Sequence, residues 1–337
     1  MPGHNQPGFR VVLEGQDLTD RFAPRLMSLK LTEKRGGEAD QLDIEIQDTD
    51  GRMAIPAKSA VLTLELGWLS GPDVRVGMID KGSFKVDQAE WAGPPDRIKI
   101  TARSADLTAG FRQRRERTHR NTTVGEIVRR VAAANGLRAV VSDDLAGLRI
   151  EALAQDAASD MAVVRRLGER LDAVATVRSG RLLFMPNGQA MTVTGQRMPE
   201  APLTRRSGDR YSYKRADRGQ YRAVEAVWHD REGARRQTVR LEGSGGRGAG
   251  VRRLRRIYAN EGDARAAASA EQNRLRRTQA EFGLTLALGR PDLIPERPVT
   301  LQGFKAEIDA WRWIVAEVDH TLTPSSGLIT SLKLETR

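Results

Sequence analysis

Hydrophobic residues fall on every second position through much of the chain. Leu42, Ile44 and Ile46 alternate with Asp43, Glu45 and Gln47, and Leu62, Leu64 and Leu66 repeat the pattern. Phe282, Leu284, Leu286 and Leu288 do the same, as do Val299 and Leu301, and then Leu328, Thr330, Leu332 and Leu334. A period of two predicts strands with one face buried. The first strands are expected at 9–14, 25–33, 41–48, 60–68, 74–87 and 96–103, with breaks at Gly36-Gly37 and Gly93-Pro94-Pro95. Several short strands between such turn signals predict a barrel or sandwich, and a first domain over residues 1–110.

The period changes after residue 110. Val124, Ile127, Val128 and Val131 lie at i, i+3, i+4 and i+7, one apolar helical stripe. Thr123 and Glu126 have the capping-box spacing, and Asn135-Gly136 supplies a left-handed stop. A second helix is predicted from Ser159 to about Leu171, then a hairpin over 173–178 and 181–185 around Ser179-Gly180. A small mixed α/β domain is therefore drawn at 111–198. From 199 the chain reads as loose until strands resume at 221–229 and 236–242. A helix over 261–278 with Asn260 as N-cap follows, and then the closing meander over 282–334. The third domain, 199–337, is predicted to be β-rich with one helix. The expected fold class is mainly β (α+β).

Composition narrows the function. The chain has 337 residues, 39% of them hydrophobic, and no apolar run long enough for a membrane span is expected. The start, MPGHNQPGF, lacks a basic-then-apolar signal, which predicts a protein made and folded in a cytoplasm. Cys is absent, so disulfides, thiolate metal sites and a Cys nucleophile are excluded. The histidines are His4, His119, His229 and His320, and no two have helical ligand spacing. Net charge is +11, concentrated in Arg runs at 112–120, 205–222 and 252–256. These runs read as solvated surface or contacts with acidic partners, because aromatic residues do not interleave with them as they do in nucleic-acid platforms.

Each candidate site has a plainer reading. Gly243-x-Gly245-x-x-Gly248 matches a dinucleotide fingerprint by letters, but no helix follows directly, so a flexible loop over 243–250 is expected. Asp48-Thr49-Asp50-Gly51 opens like a calcium loop, yet its twelfth position is Ser59 rather than Glu, so a tight turn is expected. The carboxylates Glu38, Asp40, Asp43 and Glu45, and Glu307, Asp309, Glu317 and Asp319, could hide a glycosidase pair, but most alternate with apolar residues as on a solvated sheet face. Trp311 and Trp313 read as core or subunit packing on one strand face rather than a carbohydrate platform. No catalytic, cofactor-binding or metal-binding residue is assigned, no cofactor is expected, and the chain is not expected to be an enzyme.

The ordered set of segments resembles the phage late control gene D proteins, the hub proteins of contractile tails, whose fold also forms the hub portion of type VI secretion spike proteins. The segments are RLMSLKLTEKRGGEADQLDIEIQDTDG, GSFKVDQAEWAGPPDRIKITARSADL with Gly82, Phe84, Val86 and Asp87, TTVGEIVRRVAAANGL, and the meander with Trp313, Val315, Val318 and His320. One departure is Pro295-Glu296-Arg297-Pro298, where the family commonly has a Pro-Gly turn. The resemblance implies two tail-tube-like β-barrel domains flanking a LysM-like α/β domain. It implies a homotrimer, a pseudo-sixfold adapter between the hexameric tube and the trimeric central spike. Expected partners are the spike, the tail tube or tube-initiator protein, baseplate wedge proteins and the tape measure protein, with DNA only as lumen cargo. The expected location is the virion tail baseplate, assembled in the host cytoplasm. A tail-associated peptidoglycan-binding protein or wall hydrolase is the alternative; a DNA-binding regulator ranks last, since no helix-turn-helix pattern stands out.

Overall fold

A computed structural model describes residues 4–36, 39–104, 111, 113–178, 180–191, 196–215, 221–230, 233–243 and 250–337. The first part contains β1 (Gln6–Leu13), β2 (Gln16–Asp17), α1 (Thr19–Phe22), β3 (Leu26–Lys34), β4 (Gln41–Gln47), β5 (Val61–Ser70), β6 (Gly77–Ala92) and β7 (Arg97–Ser104). All six expected strands are present. Their alternation is that of the sequence: Leu29, Leu31, Leu42, Ile44, Leu62, Leu64, Phe84, Ile98 and Ile100 are buried in one core. That core is completed from the far end of the chain by Leu322 and Leu328.

The middle part contains β8 (Arg114–Thr123), α2 (Val124–Ala134), β9 (Arg138–Val141), α3 (Asp143–Ala146), β10 (Arg149–Ser159), α4 (Asp160–Leu171), β11 (Ala173–Arg178) and β12 (Arg181–Pro186). The predicted caps are formed. Thr123 Oγ1 accepts the Glu126 N–H at 3.3 Å, and Glu126 Oε2 accepts the Thr123 N–H at 3.1 Å. Ser159 Oγ accepts the Ala162 N–H at 3.2 Å, and Gly136 sits at φ +68. Residues 114–120 of the basic run lie on β8, which pairs antiparallel with β10. Val124, Ile127, Val128, Val131, Val164 and Leu167 bury the two helices in the core shared with β11 and β12.

The last part contains β13 (Ala201–Thr204), β14 (Gly208–Arg215), β15 (Ala223–Asp230), β16 (Arg235–Glu242), β17 (Val251–Tyr258), α5 (Glu261–Arg277), β18 (Ala280–Leu286), β19 (Pro298–Gln302), α6 (Ala306–Asp309), β20 (Trp313–Thr323) and β21 (Gly327–Thr336). Two strands, β13 and β14, lie in the stretch that reads as loose. Strand β14 is hidden by its polar composition, being almost wholly exposed beside β18, and β13 is too short, at four residues, to show a period. Arg-rich β17 likewise lies between the glycine loop and α5, paired parallel to β15.

The expected pair of β-barrels is not found: among the described residues no sheet closes. The strands of the first part and all of the last part's except β15, β16 and β17 form a single 13-stranded sheet with the order β14-β18-β21-β20-β3-β4-β7-β6-β5-β1-β2, with β19 branching from β20 and β13 pairing with β19. A barrel needs its terminal strands to pair with each other. Here β3 pairs with β4 on one side and with β20 on the other, from Leu29↔Leu322 to Glu317↔Lys34. The edge that would close the first half is thus occupied by the second half. Among the described residues no helix is long and apolar enough to cross a membrane.

Candidate functional site

The β3·β20 seam is where the chain's two β-rich parts become one body. Its buried face carries charge. Glu33 points inward from β3, Lys81 from β6 and His320 from β20. Lys81 Nζ lies 2.6 Å from Glu33 Oε2 and donates to the Pro291 carbonyl at 2.9 Å. His320 Nδ1 is 2.9 Å from Thr330 Oγ1, and that hydroxyl accepts the Arg290 N–H at 2.9 Å. The Leu293 carbonyl, 3.2 Å from Nε2, can only accept, so Nε2 carries the ring proton and Nδ1 accepts the Thr330 hydroxyl. The ring is neutral and its pKa is pushed below the usual histidine value, first by burial and then by the Lys81 charge, with Glu33 opposing. Every ring nitrogen has a partner, so the group is a satisfied tie between four strands and the 289–293 turn. Trp68 Nε1 adds a further tie, donating to the Gly289 carbonyl at 2.9 Å.

The exposed face of the same seam is a polar cleft of about 730 Å³ beneath the start of α4. It brings Asp43, Glu317 and Asp319 together with Lys30, Thr32, Lys34 and Arg165. Asp319 accepts the Thr32 hydroxyl at 2.5 Å and lies 3.3 Å from Lys30 Nζ. Carboxylates far apart in sequence, Asp43 with Glu317 and Asp319, thus line one cleft, but Glu317 and Asp319 face Lys34, Lys30 and Thr32 across the strand ladder.

The middle part is tied to the last part by ion pairs, of which Asp172–Arg277 is buried, and the Arg35 pairs brace the body beside it. Asp172 closes α4 in the left-handed conformation and takes a bidentate pair from Arg277 at the end of α5, one bond being 2.6 Å. Arg170 reaches Asp263 at 2.5 Å. Arg35, beyond β3, pairs with Glu335 at 2.6 Å and with Glu296. Glu296 also accepts the Gly188 N–H at 2.8 Å, while its backbone sits at φ +69. Burial raises the Glu296 carboxyl above the usual range, against the pull of Arg35.

The remaining sequence candidates have structural partners. Asp48 Oδ1 accepts the Met53 N–H at 3.0 Å, Asp50 pairs with Arg25 at 2.6 Å, and Ser59 lies beyond the turn that they form. Glu45 pairs with Arg97 at 2.9 Å, Asp40 accepts the Lys34 N–H at 3.3 Å, and Asp309 accepts the Gly303 N–H at 2.9 Å. Glu307 is exposed, and Glu38 lies outside the described residues. Gly243 follows β16, strand β17 rather than a helix comes next, and Gly245 and Gly248 lie outside the described residues. Trp313 is wholly buried, its Nε1 donating to Ile308 O at 3.0 Å within an aromatic cluster with Phe282 and Tyr213. It therefore faces its own core rather than a subunit surface. Trp311 precedes the strand and is partly buried against the same core. His119 is buried, His4 and His229 are exposed, and no group of three or more potential ligands among the described residues could hold a metal. The sequence missed Lys81 and Glu33 as a pair because 48 residues separate them: Glu33 falls on the buried phase of Leu29 and Leu31, but nothing local names its partner.

The profile of the phage tail baseplate hub family (GPD) matches residues 41–326. The probable baseplate hub protein of Escherichia phage 186 is 39% identical, over 98% of this chain and 93% of that protein. That of Escherichia phage P2 is 37% identical with the same coverage. Among solved structures, the 43 kDa tail protein of prophage MuSo2 from Shewanella oneidensis superposes with a TM-score of 0.68 at 13% identity, covering 98% of both chains, a likeness of fold.

Proposed function

The chain belongs to the phage tail baseplate hub family, and from that premise we propose how its fold serves as a hub. The protein is a structural component of the tail baseplate that links tube and spike, and not an enzyme. The finer reading is a homotrimer in which each copy contributes two β-rich parts, so that three copies offer six to a hexameric tube and three to a trimeric spike.

The β3·β20 seam carries this reading. It fuses the two parts into one continuous sheet, so force applied to one part reaches the other through a backbone ladder. The unpaired side of exposed strand β14 ends that sheet and suits strand pairing between copies, which would hide the edge. A hub that stays closed during contraction needs such a joint more than it needs a pocket.

Imaging of assembled baseplates tests the proposal. Three copies on the tail axis, between tube and spike, are expected. Six copies, or a place at the baseplate rim, would overturn it. The peptidoglycan reading of the α/β part has no observation of its own in its favour.

A further inference from the structure

The three-stranded sheet β16-β15-β17 stands apart from the 13-stranded one. One face is covered by α5, whose Ala264 and Ala268 pack on Val224, Ala226 and Val239. On the opposite face, among the described residues, Arg236, Thr238, Arg253, Arg255 and Ile257 are exposed and Val227 is half-buried. Glu225 lies at its centre, 8% exposed, held between Arg240 at 3.2 Å and Arg253 at 2.9 Å. The next row along the register is Thr238, Val227 and Ile257, with Ile257 45% exposed. The row beyond places Arg236 beside His229, and Arg255 is exposed where β17 bulges.

We infer that this face docks an acidic surface of another tail protein. Its carboxylates would meet Arg236, Arg253 and Arg255, and an apolar side chain would cover Val227 and Ile257. This inference rests on the hub reading for the class of partner. Charge chooses the sign: this face carries Arg236, Arg240, Arg253 and Arg255 against Glu225 and Glu242, whereas Arg252 and Arg256 turn to the α5 side. An apolar centre inside a polar rim is the anatomy of a protein contact. A nucleic-acid phosphate chain would instead meet the Glu225 carboxylate and bare aliphatic groups, with no aromatic residue to stack on, since Trp228 and Tyr258 pack toward α5. Protection of sheet edges explains charge along β16 and β17, but it does not require an exposed Ile257 beside a half-buried Val227. Glu225 fixes the two guanidinium groups that flank it, which lowers the ordering cost when a partner binds.

The absence of cysteine permits a direct test. Ile257→Cys in the full chain takes a photo-crosslinker at one site, and tails assembled with it are irradiated. The expected result is a crosslink to an Asp/Glu-rich segment of a different tail protein. The same crosslink should fall at least about tenfold when Arg236, Arg253 and Arg255 are also changed to Glu. The inference is overturned if the chain is in the tails but gives no crosslink, or crosslinks to DNA, to a second copy of itself or to a segment without carboxylates, or if charge reversal leaves the yield unchanged. Absence of the chain from purified tails would instead overturn the hub reading and the partner class with it. Circular dichroism of each variant, matching the parent, separates a lost contact from a lost fold.

Discussion

Lys81 Nζ lies 2.6 Å from Glu33 Oε2, with the two side chains only 1% and 6% exposed. A buried pair of this kind contributes little net energy when complete, but removal of one partner strands a charge in a dry interior. Glu33→Gln is therefore expected to cost about 3–5 kcal/mol. The double replacement Glu33→Met with Lys81→Met should retain more stability than either single change. Urea unfolding followed by Trp fluorescence checks both, since Trp68 and Trp313 report from the two sides of the seam. Equal losses in the single and double variants would count against the pair as a tie.

Stability should fall in mild acid. An unfolded histidine takes its proton near pH 6.5, whereas burial and Lys81 hold the folded His320 below that value. Burial with Arg130 and Arg117 moves His119 the same way. The unfolded chain thus binds more protons in this window, so stability drops as pH falls through about 6.5 and levels off once the folded rings are protonated. In His320→Gln the slope between pH 7 and 5.5 should flatten by up to about 1.4 kcal/mol per pH unit. Chemical denaturation at stepped pH measures it, and an unchanged slope would remove His320 from the account.

Trp313 tests whether the meander's tryptophan serves the core. It is wholly buried and donates to Ile308 O at 3.0 Å. Trp313→Ala should destabilise by about 3–5 kcal/mol through the cavity it leaves. Trp313→Phe should cost less while losing the hydrogen bond. Thermal unfolding of the purified chain decides. Loss of assembly without loss of stability would point instead to a surface role.

Glu296 holds a left-handed backbone, φ +69, that glycine adopts without strain. Its carboxylate offsets that strain by taking the Gly188 N–H and pairing with Arg35. Glu296→Gly should therefore relax the turn yet destabilise by about 1–3 kcal/mol, because Gly188 and Arg35 lose a buried acceptor. Glu296→Gln keeps an acceptor for Gly188 and should cost less. Comparison of the two unfolding midpoints checks this, and a glycine variant more stable than the parent would contradict it.

Local features were legible in the sequence because their causes are local. Alternation at period two placed Leu42, Ile44 and Ile46 on the buried face of β4, and the spacing of Thr123 and Glu126 marked the start of α2. The break in alternation at Trp313, Ile314 and Val315 has a local geometry too, a register shift between Val315 and Glu317 against β21. Strands β14 and β17 escaped, since a strand exposed on its face carries no hydrophobic period to read.

By itself the sequence determined which face of each strand is buried, where the main helices start, and the family the chain resembles. Only the tertiary structure decided that β3 pairs with β20, so that two expected barrels are one open sheet. Side-chain alternation specifies a face, but every strand offers the same backbone N–H and C=O groups, and these do not name their partner. The same holds for Lys81, Glu33 and His320. None of them names its partner from its own strand, and the charge pair and the neutral ring arise only when four strands and a turn exclude water around them.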